Sequence, residues 1–160
     1  MGEHVVGIET VAPRLTAVVA ETTTWERFPG VWRQALDEVY AVVRSRPDLA
    51  PPASGPKWQN VMLYKDDAPS VEVGVLVAAP FPAEGRVTAS ELPGGRVVTT
   101  THRGDYAQLG RAHDAVHRFA EGHAVELAGP RWEIYGHMYD DGREPETEVH
   151  YLVLAPGGGF

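Results

Sequence analysis

Cysteine is absent from all 160 residues. This excludes disulfides and thiol nucleophiles and suits a reducing, cytoplasmic setting. No apolar run approaches the roughly 20 residues of a membrane helix. Met1 to Val6 lacks the basic segment and apolar core of a secretory signal, so a soluble cytoplasmic chain is expected. Positive charge is short: 14 Lys and Arg stand against 22 Asp and Glu, a net charge of −8. Phosphate backbones repel such a chain, and no long basic stripe offsets this, so a nucleic-acid partner is not expected and a charged partner would be a cation. A phosphate-cradling Gly-rich loop, a Gly-x-Ser-x-Gly turn, a zincin motif and a calcium loop are all missing. His113 and His117 stand four apart, but no third ligand lies at a telling spacing, so neither metal nor cofactor is expected.

A 43% hydrophobic and 22% charged composition at this length fits one globular domain over 1–160. Residues 1–12 read as a strand or an ordered arm. Leu15 to Ala20 is rich in β-branched residues and reads as a strand. After Pro29, the residues Val31, Trp32, Ala35, Leu36, Val39, Val42 and Val43 recur at helical spacing, and the helix is expected to end near Arg46, before Pro47. Two strands, Trp58 to Tyr64 and Val71 to Val77, follow a Pro/Gly loop. Next comes a connector with a short strand at 86–88. A strand from Arg96 to His102 then leads to a helix opened by an Asp105/Gln108 capping box and carrying Leu109, Ala112, Val116, Phe119 and Ala120 on its buried stripe. A last strand runs from Glu146 to Leu154.

The order strand, helix, strand, strand occurs twice, in repeats of about 12–80 and 93–156. Gly55-Pro56-Lys57-Trp58-Gln59 matches Gly129-Pro130-Arg131-Trp132-Glu133, and Asp66-Asp67 matches Asp140-Asp141 at the same spacing. The expected fold is α+β: duplicated β-α-β-β units forming a mainly antiparallel sheet, two helices on one face and a ligand groove between the halves. Alternation then puts Glu72, Glu148, His150 and Glu133 on the open face. Val149, Tyr151 and Val153 join Trp58 and Trp132 under the helices.

Gly129 to Tyr139 is the strand with the clearest chemistry. Trp132, Ile134 and Met138 share one side, while Glu133, Tyr135, His137 and Tyr139 share the other. A carboxylate among aromatic rings can hold a cation or a flat aromatic ligand. Gln59 is read as the counterpart of Glu133 in the first repeat. Trp25, ahead of the first helix, and Tyr106, at the head of the second, are candidate caps.

Leu92-Pro93-Gly94-Gly95, His102-Arg103-Gly104-Asp105-Tyr106-Ala107-Gln108-Leu109, Trp132-Glu133-Ile134-Tyr135 and Glu146-Thr147-Glu148-Val149 resemble the GyrI-like, or AraC-type effector-binding, domain family over nearly the whole chain. The resemblance implies a duplicated β-α-β-β architecture, a groove for hydrophobic, often cationic or aromatic compounds, and a central ligand-facing acid at Glu133. Many relatives carry a helix-turn-helix region ahead of this domain, but here Leu15 already opens a strand, so a stand-alone member is expected. Three functions follow: binding or sequestration of multidrug-type compounds, hydrolysis of reactive cyclopropane-bearing compounds with Glu133 and Tyr135 as catalytic groups, or a regulatory module acting through a protein partner. Oligomeric state is not legible.

Overall fold

The computed structural model describes residues 4–51, 58–136 and 144–154. They fall into two compact units, Pro13–Pro93 and the combination of Met1–Ala12 with Gly94–Phe160. Every strand pair within each unit is antiparallel and each unit carries one long helix, an α+β fold.

The first unit contains β2 (Arg14–Thr22), α1 (Phe28–Val43), β3 (Asn60–Tyr64), β4 (Ser70–Leu76) and β5 (Val87–Leu92), in the sheet order β5-β2-β4-β3. The Tyr40 hydroxyl donates to Asn60 Oδ1, and Phe28 lies edge-on to Tyr64. Helix α1 therefore covers the side bearing Asn60, Met62 and Tyr64. The pairs Tyr64 with Val71, Met62 with Val73 and Asn60 with Val75 put Val71, Val73 and Val75 on that side as well. Val18, Val61, Leu63 and Leu76 on the other side are buried as well. Strands buried on both sides lose the polar alternation of a half-exposed sheet.

Helix α1 stops at Val43 rather than near Arg46, and Pro47 opens a separate 3-10 turn, Pro47–Leu49. Ala35, Leu36, Val39 and Val43 are its buried stripe, with Phe28 at its start. The short strand expected at 86–88 is the six-residue β5, an edge strand on β2.

The second unit contains β1 (Gly7–Val11), β6 (Gly95–Arg103), a 3-10 turn (Tyr106–Gln108), α2 (Leu109–Gly122), β7 (Leu127–Tyr135) and β8 (Glu146–Val153), in the order β1-β6-β8-β7. Ala112 and Val116 of α2 pack on Val98, Val149 and Tyr151, with Leu109, Phe119 and Leu127 alongside. Asp105 does cap, but it caps the 3-10 turn, its carboxylate accepting from the Ala107 N–H at 2.9 Å. The α-helix starts only at Leu109, so Gln108 completes no capping box.

Strand pairing fixes how the repeats correspond. Val73 pairs with Val19 and Met62, and Val149 pairs with Thr100 and Glu133. The edge strands are exchanged: β1 precedes the first repeat yet pairs with β6, the opening strand of the second, and β5 precedes the second repeat yet pairs with β2.

Candidate functional site

Glu133 is 4% exposed, and it points toward α2 rather than away from it. Its antiparallel partner on β8 is Val149, a core residue under that helix, and partners across a ladder share a face. Trp132 pairs with His150 and stacks on it at 5.6 Å on the opposite side. The sequence expectation is thus corrected for both residues, Glu133 lying on the helix side and Trp132 on the other. The reason is register. Val149 and Tyr151 are under the helix as expected, but β7 joins them with Glu133 in step, and a one-residue offset exchanges the faces of a whole strand.

Two donors converge on the Glu133 carboxylate. The Tyr135 hydroxyl donates to Oε1 at 2.7 Å, and His113 Nε2 lies 2.6 Å from Oε2. A carboxylate only accepts, so Nε2 carries the hydrogen. The other ring nitrogen of His113, Nδ1, lies 2.7 Å from the Tyr151 hydroxyl. Tyr151 is flanked edge-on by His113 at 5.6 Å and His117 at 5.0 Å. Tyr106, 43% exposed on the 3-10 turn, packs edge-on to Tyr135 at 5.6 Å. Partial burial pushes the Tyr106 phenol above its usual pKa, so it stays a neutral ring at ordinary pH. A buried acid therefore adjoins tyrosine and imidazole rings, one of them reaching the surface.

His113 takes part in this cluster although the i, i+4 spacing presents it only as a metal-ligand candidate. Its place at the border of the α2 apolar stripe, facing a strand that carries an acid, was the signal available. Among the described residues no group of three or more His, Cys, Asp or Glu side chains is placed to hold a metal.

The first repeat has a matching but neutral arrangement. By strand pairing, the counterpart of Glu133 is Met62, not Gln59, and that of Tyr135 is Tyr64. The Tyr64 hydroxyl donates to the Met62 thioether at 3.6 Å, as Tyr135 donates to Glu133. Trp25, 49% exposed, lies 5.7 Å from Tyr64, as Tyr106 lies against Tyr135. The Gly-Pro-x-Trp motif misleads here because the matching strands pair three residues out of step with it. Gln59 is half-buried ahead of β3, where its carbonyl accepts from the Leu76 N–H.

The remaining candidates stand apart from Glu133. Glu72, on the side of β4 away from α1, accepts from Ser90 and pairs with Lys65 at 2.6 Å. Glu148 pairs with His150 on the far side of β8. His137 and Tyr139 lie outside the described residues.

Two cavities, of about 570 and 410 Å³, adjoin the other flank of α2 and share His4 and Arg111; neither contains Glu133. His4 Nε2 lies 3.1 Å from His102 Nδ1, and His102 Nε2 donates to the Asp105 carbonyl at 2.8 Å. Burial, then His102, Arg111 and Arg118, hold the His4 pKa below 6.5. A base whose folded pKa is lowered stabilises the docked arm above the unfolded value, and that stability is lost as pH falls through the lowered one. Amides of β1 are therefore expected to exchange faster, after correction for intrinsic rates, at about pH 5.5 than at about pH 7.5. Hydrogen-exchange mass spectrometry of the protein and of His4→Gln checks this, the variant showing a flat response.

The GyrI-like small molecule binding domain model matches residues 4–155. The chain belongs to this family. No curated protein matches it in sequence. Among solved structures the GyrI-like chain is similar to the EcmrR C-terminal domain, at 17% identity and TM-score 0.74, covering 96% of this chain and 99% of that one. It is also similar to SAV2435 bound to tetraphenylphosphonium, at 12% identity and TM-score 0.65, covering 94% of each. A hydrolase from Listeria innocua is similar at 11% identity and TM-score 0.57, covering 93% and 91%. At these identities the likeness establishes the fold. Among the described residues no helix is long and apolar enough to cross a membrane.

Proposed function

We propose that this GyrI-like protein binds or sequesters hydrophobic, cationic or polyaromatic small molecules at Glu133, in a cytoplasmic setting. The observation that carries the reading is the buried Glu133 carboxylate bonded to Tyr135 and His113, with Tyr106 packed on Tyr135 and Tyr151 on His113. A carboxylate shielded from water attracts a cation far more strongly than one in bulk solvent. Tyrosine faces add stacking and cation–π contacts, and apolar burial contributes roughly 25 cal/mol per Å² before ordering costs. That a similar fold is known with tetraphenylphosphonium, a lipophilic cation, supports the same ligand class. Fluorescence titration with ethidium tests the reading. Binding is expected in the parent protein, and Glu133→Gln is expected to weaken it by about tenfold or more, because the side-chain shape is kept while the charge is lost. Unchanged affinity in that variant removes the assigned role of the acid.

A second reading is favoured by the series Glu133, His113, Tyr151, which resembles a proton relay. Glu133 would accept a proton from water as the oxygen bonds to a strained ring carbon and a ring C–C bond breaks, and the proton would return to the carbon that takes the electron pair of that bond. The product is substrate plus one water. Mass spectrometry after incubation with a cyclopropane-bearing electrophile separates the two readings, unaltered compound excluding hydrolysis of that substrate.

A further inference from the structure

We propose that the cleft between the arm ahead of β1 and helix α2 is a second ligand site, one that takes organic monoanions with an apolar body. It is separate from Glu133, which lines neither cavity on this flank. Arg111, Asp114, Ala115 and Arg118 stand at i, i+3, i+4 and i+7 of α2, so they share one face of the helix over two turns, about 10 Å. With His4, Val6 and Phe119 they line the cavity of about 570 Å³, a volume within the range of small-molecule sites. Ala115 is buried, and Val6 and Phe119 pack on the core of this unit. Part of the lining is therefore apolar and held in place.

The net sign of the lining selects the ligand. Arg46, Arg86 and Arg103 each pair with a carboxylate, as a chain with 22 Asp and Glu readily allows. Arg111, Arg118 and Asp114 are exposed, and among the described residues none of the three forms a hydrogen bond or ion pair. An exposed i, i+4 contact of Asp114 with Arg118 would be worth only about twofold in equilibrium, too little to withdraw the guanidinium from a ligand. His4 senses the positive field: burial, then His102, then Arg111 and Arg118 lower its pKa, so it adds no charge at about pH 7.5. Two guanidiniums against one carboxylate leave a surplus of one positive charge. The adjoining cavity of about 410 Å³ sets Arg103 and Arg111 against Asp105 and Glu144 and has no surplus. A single anionic group therefore finds its counter-charge in the first cavity, where the arginine fork suits the oxygens of a carboxylate or sulfonate.

Calorimetric titration at low ionic strength with naphthalene-2-sulfonate and with neutral naphthalene-2-sulfonamide tests this. The sulfonate is expected to bind at least about fivefold more tightly, and the double variant Arg111→Gln, Arg118→Gln to lose that preference, since an exposed charge pair is worth up to about fivefold. Both arginines are exposed, so the variant should fold as the parent does, which circular dichroism checks. Asp114→Asn should strengthen sulfonate binding about two- to fivefold, a gain that lost packing would not produce. Arg33→Gln, on helix α1, makes the same change in net charge and should leave binding unaltered. Amide NMR shifts should place the bound sulfonate at Val6, Ala115 and Phe119. Absence of sulfonate binding, equal affinity for the two compounds, a preference retained in the double variant, an equal loss in Arg33→Gln, or shifts centred on β7 overturns the inference. The ethidium titration of Glu133 is decided separately, because it reads a different site.

Discussion

Gly74→Ala is expected to cost about 3 kcal/mol or more of stability, at the upper end of what overpacking does. Gly74 sits in β4 opposite Val18, in the middle of the β2 and β4 ladder. A methyl built there would lie 1.8 Å from the Ala17 carbonyl oxygen, 2.8 Å from its carbon and 2.9 Å from Val18 Cα. All three are backbone atoms, so no side chain can turn aside. The two strands must part, and ladder hydrogen bonds that lose partners in a buried sheet each cost desolvation. Gly30→Ala is the control: nothing lies within 4 Å of its added methyl, and in the first turn of α1 alanine favours the helix by up to about 1 kcal/mol. Urea denaturation followed by circular dichroism checks both. A Gly74→Ala midpoint equal to that of the parent protein contradicts the close approach of the two strands.

The largest functional effect is expected from Glu133→Met, which gives the second repeat the residue that the first repeat carries at this place. The fold should survive, because Met62 already sits there beneath Tyr64 with the same tyrosine-to-side-chain contact. The Tyr135 hydroxyl can donate to the new thioether as Tyr64 does to Met62, while the half-buried His113 Nε2–H loses its acceptor at a cost of about 1–3 kcal/mol in stability. His113 keeps its contact with Tyr151. Affinity for tetraphenylphosphonium should fall about 100-fold, the value of an interaction with a charged partner, and approach that of triphenylphosphine oxide. Calorimetric titration of both compounds gives the answer. Retained discrimination between cation and neutral compound would place the recognising charge elsewhere.

These two variants also mark how far the sequence reading reaches. Glu133, Tyr135 and Tyr106 are visible as an acid and rings on strand and helix-start positions, and the structure brings them together. His113 is visible only as half of an i, i+4 pair, because helix spacing shows which residues share a face but not which strand that face meets. Gln59 illustrates the opposite error. A five-residue match suggests that it is the counterpart of Glu133, yet pairing with β4 makes Met62 the counterpart. Local sequence similarity carries no information about hydrogen-bond register.

The class of fold, the two helices with their apolar stripes, most strands and the repeat are legible along the chain from periodicity, turn residues and repeated motifs, and the family from the resemblance of four short motifs to known members. Visible only in three dimensions are which way β7 faces, that Glu133 rather than Trp132 lies against α2, that Tyr135 and His113 bond the acid, and that edge strands are exchanged between repeats. All four depend on how separate strands align across the sheet. A shift of one residue there reverses every side chain while leaving the alternation within each strand unchanged.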